Sequence, residues 1–589
     1  MKQLNRKAMK FCSPVAAAVL AMISAPVTAG EFTLGESGDI KGTYNLTISA
    51  GAGWRMADRD PGLYANGNLS GGTGGNSDDG NLNYGKGKMY SSFTKAVGEL
   101  DLKKDNYGVF IRGKAWYDDT LSRSSVPHGN GANGYVANTP LSDAGLDKLQ
   151  KFQGTYLLDS YVYGNWKLDG GNSFNGRIGR QALNWGESLF FQGINVVSPL
   201  DVPAFRRPGV EIKEAFLPVG MLYGNWGFAN GPSVEAFYQY QWQATAVDGC
   251  GTYFSTVDVA IGPGANKSGC NAALLAAPDA SMWNYRLNGA GVPLVNPKLP
   301  KNGGQYGIST RYFVDALNTE FGAYAINIHS RTPVLNGVTA TTPGLIGANW
   351  EYPENVKVYA LSASTTLGGW SIGSELSHSP NYPAAINGAD LLYGTLLNAG
   401  PMGSRAIAAG AGGAVQGYDR VKKTQFQLNG IQAFPGILGA EGLTVVGEVA
   451  GSWVNGLNPD LRYGREFVFG AASDPTYGGC PTPGAPGCAN SGFVTSFAWG
   501  YRVLGKLDYF NFMNTGVTVS PSMSLSHDVK GVSVDGQMNE GRRILGLGVD
   551  FNYQKKYNLG VQYVKFNNKA QWDALRDRDY LTLNASMAF

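Results

Sequence analysis

Four histidines, at positions 128, 329, 378 and 527, are the side chains of this 589-residue sequence best suited to moving a proton near neutral pH. His527 follows Ser522, Ser524 and Ser526 on alternating positions, which raises the question of a serine hydrolase. Such chemistry needs an orienting acid and oxyanion donors at defined geometry. None can be named, so the serines read as a polar ladder along a strand and no catalytic residue is assigned. The run Asn76-Ser77-Asp78-Asp79-Gly80-Asn81 has the oxygen-rich composition of a calcium cradle but lacks the later bidentate glutamate of such loops. Four cysteines follow the first 29 residues, Cys250 with Cys270 and Cys480 with Cys488. Each pair lies within one loop-like segment and no histidine or carboxylate stands at ligand spacing, so two local disulfides are expected rather than a metal site. Neither a metal nor a cofactor is expected.

The densest constellation runs from Gly179 to Ser188 and contains Arg180, Trp185 and Glu187. After it come Phe190, Phe191, Ile194, Val196, Val197, Leu200, Val202 and Phe205, then the pair Arg206-Arg207. So much apolar surface on an external loop would promote aggregation, so the segment is expected to fold inward as a constriction. It reads either as an apolar slide, with Arg206 or Arg207 catching a carboxylate or phosphate head, or as a packed plug that stiffens its surroundings.

The elements that must carry these residues are strands. Tyr580 to Phe589 alternates apolar with small or polar residues and stops on an aromatic, and about 9–11 such residues span a bilayer as a tilted strand. Phe589, sharing its face with Met587, Ala585, Leu583 and Leu581, is expected to serve as the signal read by the outer-membrane assembly machinery. The same period-two test places spans near 39–56, 90–103, 107–118, 154–168, 173–186, 216–228, 231–244, 304–316 and 319–331. It continues through 354–367, 369–382, 418–433, 441–456, 495–509, 514–529, 540–553, 556–568 and 578–589. Eight short links alternate with nine longer loops, as expected if short turns face the periplasm and long loops the outside. The fold class predicted is all-β: a single transmembrane antiparallel barrel of about 18 strands, with some loops folded into the lumen.

The parity that faces water carries Lys41, Arg55, Glu99, Asp101, Arg112, Lys114, Arg177, Gln181, Arg311, Glu375, Gln425, Gln427, Glu448, Arg502, Lys506, Asp508, Asp550 and Gln562. Both signs are mixed, which gives no strong ion selectivity and suits cross-lumen ion pairs with a minority lining a solute path. Strict parity puts Arg180 on the lipid face, so it requires either a β-bulge or a place at the membrane interface. In the second loop, Ser142-Asp143 is expected to cap a short helix carrying Leu146, Leu149 and Phe152 on one face.

Residues 1–29 read as a cleaved signal: Lys2, Arg6, Lys7 and Lys10, an apolar stretch from Pro14 to Ile23, then Val27-Thr28-Ala29. Residues 30–589 are then the barrel. Cys12 stands too early and in the wrong context for a lipoprotein. Without the leader, 43 basic residues face 44 acidic ones, since four of the 47 lie in it, which excludes a nucleic-acid-binding surface. No other stretch approaches the ~18 apolar residues of a spanning helix, which leaves the closed barrel as the way to cross a bilayer.

Several stretches resemble the proteobacterial outer-membrane family of the domain of unknown function 1302. They are Trp54 to Pro61, Asp79 to Tyr84, Gly179 to Ser188, Gly193 to Val202, Gly251 to Ser255, Ser526 to Val529, Glu540 to Arg542 and Leu575 to Asp579. The resemblance implies association with a periplasmic partner and an inner-membrane transporter of the resistance-nodulation class, in settings where hydrophobic compounds are degraded. Two functions are therefore carried forward. One is an outer-membrane channel for a small hydrophobic or amphipathic solute, gated by the third loop. The other is a loop-plugged barrel that docks a trans-envelope assembly. An enzyme is not expected.

Overall fold

The computed structural model describes residues 30–589 apart from 36–37, 132–133, 208, 210, 266–291, 342–345 and 471–490. Eighteen antiparallel strands close on themselves. In chain order they are β1 (Ile40–Arg55), β2 (Met89–Lys104), β3 (Tyr107–Asp118), β4 (Gln153–Lys167), β5 (Ser173–Gln181) and β6 (Val219–Gly227). Next come β7 (Ser233–Gln239), β8 (Gln305–Val314), β9 (Thr319–Ile328), β10 (Val356–Leu367), β11 (Trp370–Ala385) and β12 (Tyr418–Pro435). The last six are β13 (Gly442–Asn455), β14 (Phe497–Asp508), β15 (Val517–Lys530), β16 (Arg543–Tyr553), β17 (Tyr557–Phe566) and β18 (Tyr580–Ala588). Each pairs with its sequence neighbours, and β18 returns to β1 with Thr47 opposite Ala588 and Arg55 opposite Tyr580.

Closure leaves no free edge along the wall. Where β18 ends, Phe589 exchanges backbone hydrogen bonds with Leu46 (2.8 and 3.1 Å) and packs against Ala50 and Met587. The edge of β1 beyond that point is covered by a short strand, Gly30–Leu34, paired from Gly30 opposite Tyr44 to Leu34 opposite Ile40.

Alternation decides which face meets lipid. Ile111, Leu157, Ile178, Leu222, Ile308, Leu361, Leu376, Leu428, Val503, Leu547, Val561 and Leu583 are exposed on the wall, as an outer apolar band requires. Near the short turns the band ends in aromatic contacts, among them Tyr107 with Trp166 (5.5 Å), Trp166 with Phe174 (5.6 Å) and Trp370 with Phe434 (6.0 Å). Amphipathic rings favour this depth, at the boundary between hydrocarbon and headgroups.

The longer connections build a packed cap at the other end. A three-stranded sheet (Val334–Val338, Gly347–Glu351, Ala414–Val415) and a helix (Gly388–Leu397) contribute to one apolar cluster with Leu146, Val257, Trp350, Met402, Val454 and Tyr463. The helix expected after Ser142-Asp143 does not form. A 3-10 turn spans Lys148–Gln150 instead, while the Asp143 carboxylate accepts from the Phe152 amide (3.1 Å) and the Ser142 hydroxyl from the Ala144 amide (3.2 Å). Local side-chain acceptors have thus taken the amides a longer helix would use. Leu146, Leu149 and Phe152 are all buried, but in three different clusters.

Candidate functional site: a strap latched across the lumen

The segment between β5 and β6, residues 182–218, leaves the wall and crosses the barrel. Strand β5 ends at Gln181, not near 186 as the alternation suggested, because the apolar residues after it turn inward. On the far side, two buried carboxylates receive the strap backbone. Glu375 of β11 accepts from the amides of Glu187, Ser188 (2.8 Å) and Ile194 (3.2 Å). Glu448 of β13 accepts from Leu189 (3.2 Å), Phe190 (2.6 Å) and Phe191 (2.9 Å).

Between them β12 adds Asn429, donating to the Glu187 carbonyl (2.6 Å), and Gln425, donating to the Gln192 carbonyl (2.9 Å). Gln427 donates to Glu375 itself (2.8 Å). Strands β11 to β13 lie far around the ring from β5 and β6, so these bonds tie the strap to the opposite wall. A Cβ at Gly186 or Gly193 would fall on the Glu375 carboxylate, so glycine is what allows the close approach.

The return half is held to the near wall by ion pairs. Lys114 meets Asp201 (2.5 Å), Lys95 meets Glu214, and Lys213 meets Glu99 (2.8 Å), which Arg112 also binds (2.9 Å) together with Asp159 (2.9 Å). At the bend, the guanidinium of Arg331 donates to the Val197 carbonyl (2.9 Å) and to Gln239 (2.5 Å). Burial alone pushes this arginine down to about 9, since taking a cation out of water disfavours its charged form.

The strap has two faces. Trp185, Ile194 and Val197 are buried against Val219 and Met221 of β6, Phe237 of β7, Tyr324 and Ile326 of β9 and Val358 of β10. Each such side chain taken out of water contributes roughly 1.5–3 kcal/mol. The Trp185 indole also donates to Glu235 (2.8 Å). Phe191 is 2% exposed and lies under the guanidinium of Arg502 (4.5 Å), whereas Phe190 and Phe205 are 45% and 46% exposed. The strap is therefore packed at Phe191 and open at Phe190 and Phe205.

Other expected site residues are placed as follows. Arg180 sits at the last rungs of β5, its guanidinium over Tyr156 (5.4 Å) and donating to that hydroxyl (2.9 Å) and the Pro218 carbonyl (3.2 Å). The ladder to β6 runs through Arg180 without a register shift, and the irregularity in this wall lies in the β3–β4 ladder, past Ile111. Arg206 pairs with Asp248 (3.2 Å) over the Phe254 ring (4.7 Å), and Arg207 lies over Trp116 (5.6 Å).

Arg177 is sandwiched by Tyr161 (5.9 Å) and Tyr223 (5.1 Å), and Gln181 donates to the Met221 carbonyl (3.2 Å). Arg311 reaches Glu320 (3.0 Å) and Glu187 of the strap (3.4 Å). Arg502 pairs with Asp528 (2.6 Å) and Lys506 with Asp508 (3.2 Å), while Asp550 stands between Ser520 and Gly560 in the ladder. Cys250 is buried in the cap; Cys270, Cys480 and Cys488 lie outside the described residues.

His527 contacts Arg543 (3.2 Å) and the Tyr501 hydroxyl (3.4 Å). Asp78, Asp79 and Asp258 cluster, but Asp258 accepts from the Asp78 and Asp79 amides (2.9 and 3.1 Å) and Asp78 from the Ala65 amide (2.6 Å). Asp78 and Asp258 thus brace backbone.

The motif stretches converge. Arg55 is fully buried and donates to Asp577 (2.8 Å), to the Asn81 side chain (2.6 Å) and to the carbonyls of Ala57, Asn81 and Tyr84 (2.8–2.9 Å). Arg578 donates to the Tyr253 carbonyl (2.9 Å), and Tyr253 stacks on Tyr90 (4.4 Å). Asp528 pairs with Arg542 (2.7 Å). Four distant segments thus meet over the β1–β18 seam, and the two segments Gly179–Ser188 and Gly193–Val202 supply residues 182–188 and 193–202 of the strap.

A family described as "Protein of unknown function (DUF1302)" matches residues 12–589. The chain belongs to the DUF1302 family. No curated protein matches this DUF1302 chain. Among solved structures it is similar to OccK2 (OpdF) of Pseudomonas aeruginosa, at 10% identity over 93% of this chain and 97% of that one, with a TM-score of 0.37. It is also similar to OccK8 (OprE) of the same organism (10%, 93% and 98%, TM-score 0.38). A third is the outer membrane channel DcaP of Acinetobacter baumannii (7%, 95% and 100%, TM-score 0.34). Superpositions this loose carry no weight for aperture or cargo, and the barrel of this DUF1302 chain is read from its own strand pairing.

Proposed function

We propose that the chain is an outer-membrane channel for small hydrophobic or amphipathic solutes, with the strap 182–218 setting its aperture. The observation that carries this reading is the latch, in which Glu375 and Glu448 take six strap amides at the far wall. A barrel of this strand number encloses an aqueous lumen unless loops fill it. The exposed rings of Phe190 and Phe205 give the strap apolar surface that sugars or inorganic ions would not use. The leader at 1–29 and the paired loop cysteines belong to the same reading, that of an exported protein in an oxidising compartment.

A second reading is favoured by the apolar cluster of the cap: loops packed this tightly suit a closed barrel that docks a periplasmic partner and an inner-membrane transporter. Swelling of liposomes containing the purified chain separates them. A channel of the proposed kind admits short alkyl carboxylates and alcohols faster than sugars of equal size. Equal or faster sugar entry contradicts the solute class, and no swelling in any solute favours docking.

A further inference from the structure

Beside the strap's return half, the outer loops enclose a cavity of about 420 Å³. Val202 and Arg206 of the strap line one side of it. Val257, Ile261, Val494 and the indole of Trp572 form apolar walls.

The polar lining is unbalanced. Arg206 is engaged with Asp248 and the Phe254 carbonyl, both at 3.2 Å. Arg542 is engaged with Asp528 and the Gln537 carbonyl, both at 2.7 Å, and Arg465 with the carbonyls of Ser491 (3.0 Å) and Gly470 (2.9 Å). The acceptors have no such cover. Asp573 is 3% exposed; its Oδ1 takes the Leu575 amide (3.1 Å), while its Oδ2 has no hydrogen-bond partner among the described residues.

Asn539 donates to the Trp572 carbonyl (2.7 Å), which leaves its Oδ1 buried and equally unpartnered. Glu466 accepts a long bond from the Thr256 hydroxyl (3.4 Å). Burial pushes the carboxyls of Asp573 and Glu466 upward, against the pull of Arg542 on Asp573 and of the Thr256 hydroxyl on Glu466. An acceptor buried without a partner is destabilising, and a donor brought by a ligand would relieve that loss.

We infer that this cavity binds an amphipathic molecule whose polar end donates hydrogen bonds, an amine or an alcohol. Its head lies at Asp573, Asn539 and Glu466, and its chain against Val257, Ile261 and Val494. The inference rests on the channel reading for the site's place on a solute's path, but binding itself does not require conduction.

The test is calorimetric titration of the full chain in lipid nanodiscs with decylamine, decanol and decanoate, each corrected with empty discs. Decylamine and decanol are expected to saturate at one per chain, and decanoate to bind at least about tenfold more weakly, because at Asp573, Asn539 and Glu466 its carboxylate meets acceptors while the lining arginines are engaged elsewhere. Asp573→Asn keeps the Leu575 contact and offers an amide donor at the second position, so it should narrow that ratio. Val257→Trp should abolish binding of all three in chains that still run as folded barrels on unheated gels.

Decanoate binding as tightly as the amine, no saturable heat above empty discs, an unchanged ratio in Asp573→Asn, or intact binding in Val257→Trp would each overturn the assignment. A conducting barrel that ignores decylamine removes this inference alone. A silent barrel that binds it removes the channel reading alone.

Discussion

Replacing both latch carboxylates, Glu375→Ala with Glu448→Ala, should raise single-channel conductance several-fold over the unaltered chain. Together they accept six strap amides, and hydrogen bonds to a charged group contribute about 1.5–3 kcal/mol each. No other described group could take over all six. The near-wall ion pairs of Lys95, Lys114 and Lys213 remain, so the strap should swing while staying attached at one side. Glu375→Gln and Glu448→Gln keep an acceptor oxygen and should show a smaller rise. Wild-type conductance in the double alanine variant, recorded in planar bilayers, would mean that the strap does not set the aperture.

The largest loss of stability is expected from Arg55→Ala. Its guanidinium is fully enclosed and joins the segments 56–84 and 577 above the seam where β1 meets β18. Removing it takes the donor from the carbonyls of Ala57, Asn81 and Tyr84, at about 1–3 kcal/mol for each acceptor left buried, while Asp577 keeps Arg578 (2.6 Å) and the Asp60 amide (2.9 Å). Arg55→Lys should recover little of the loss, because an ammonium lacks the planar fork that serves Asp577 and the carbonyls at once. Thermal unfolding combined with protease cleavage in 56–88 measures the effect: an early loop transition in both variants is expected. A melting curve like wild type for Arg55→Ala would show that the seam is held by other contacts.

All eighteen strands were legible in the sequence because a wall between lipid and water leaves alternation no freedom: a slip by one residue would turn Leu376 inward and Glu375 outward. Ends were less legible where side chains leave the pattern for tertiary reasons, as at Leu183 and Trp185, which read as strand and fold inward. The inner wall also carries Val219, Met221, Ile326 and Val358, a patch the polar-inside rule for lumens does not anticipate, because it exists to receive the strap.

Glu375 and Glu448 were readable as lumen residues, but not as the acceptors of a loop at least 181 positions from the first and 257 from the second. Their partners are backbone amides, which carry no sequence signal. The glycines opposite them, Gly186 and Gly193, were the nearest available clue. Lys114 with Asp201 and Lys95 with Glu214 were hidden for a different reason, since ion pairing between wall and loop depends on the path of the loop.

The measurement that tests the account most directly is single-channel recording from the purified chain in planar bilayers, beside a variant lacking Phe190 to Phe205. The account predicts discrete openings from the intact barrel and a larger current after deletion, as expected of a strap that sets the aperture. Silence from both would contradict it and leave a closed barrel whose loops serve docking. Equal currents would show that solutes pass by a route the strap does not constrict.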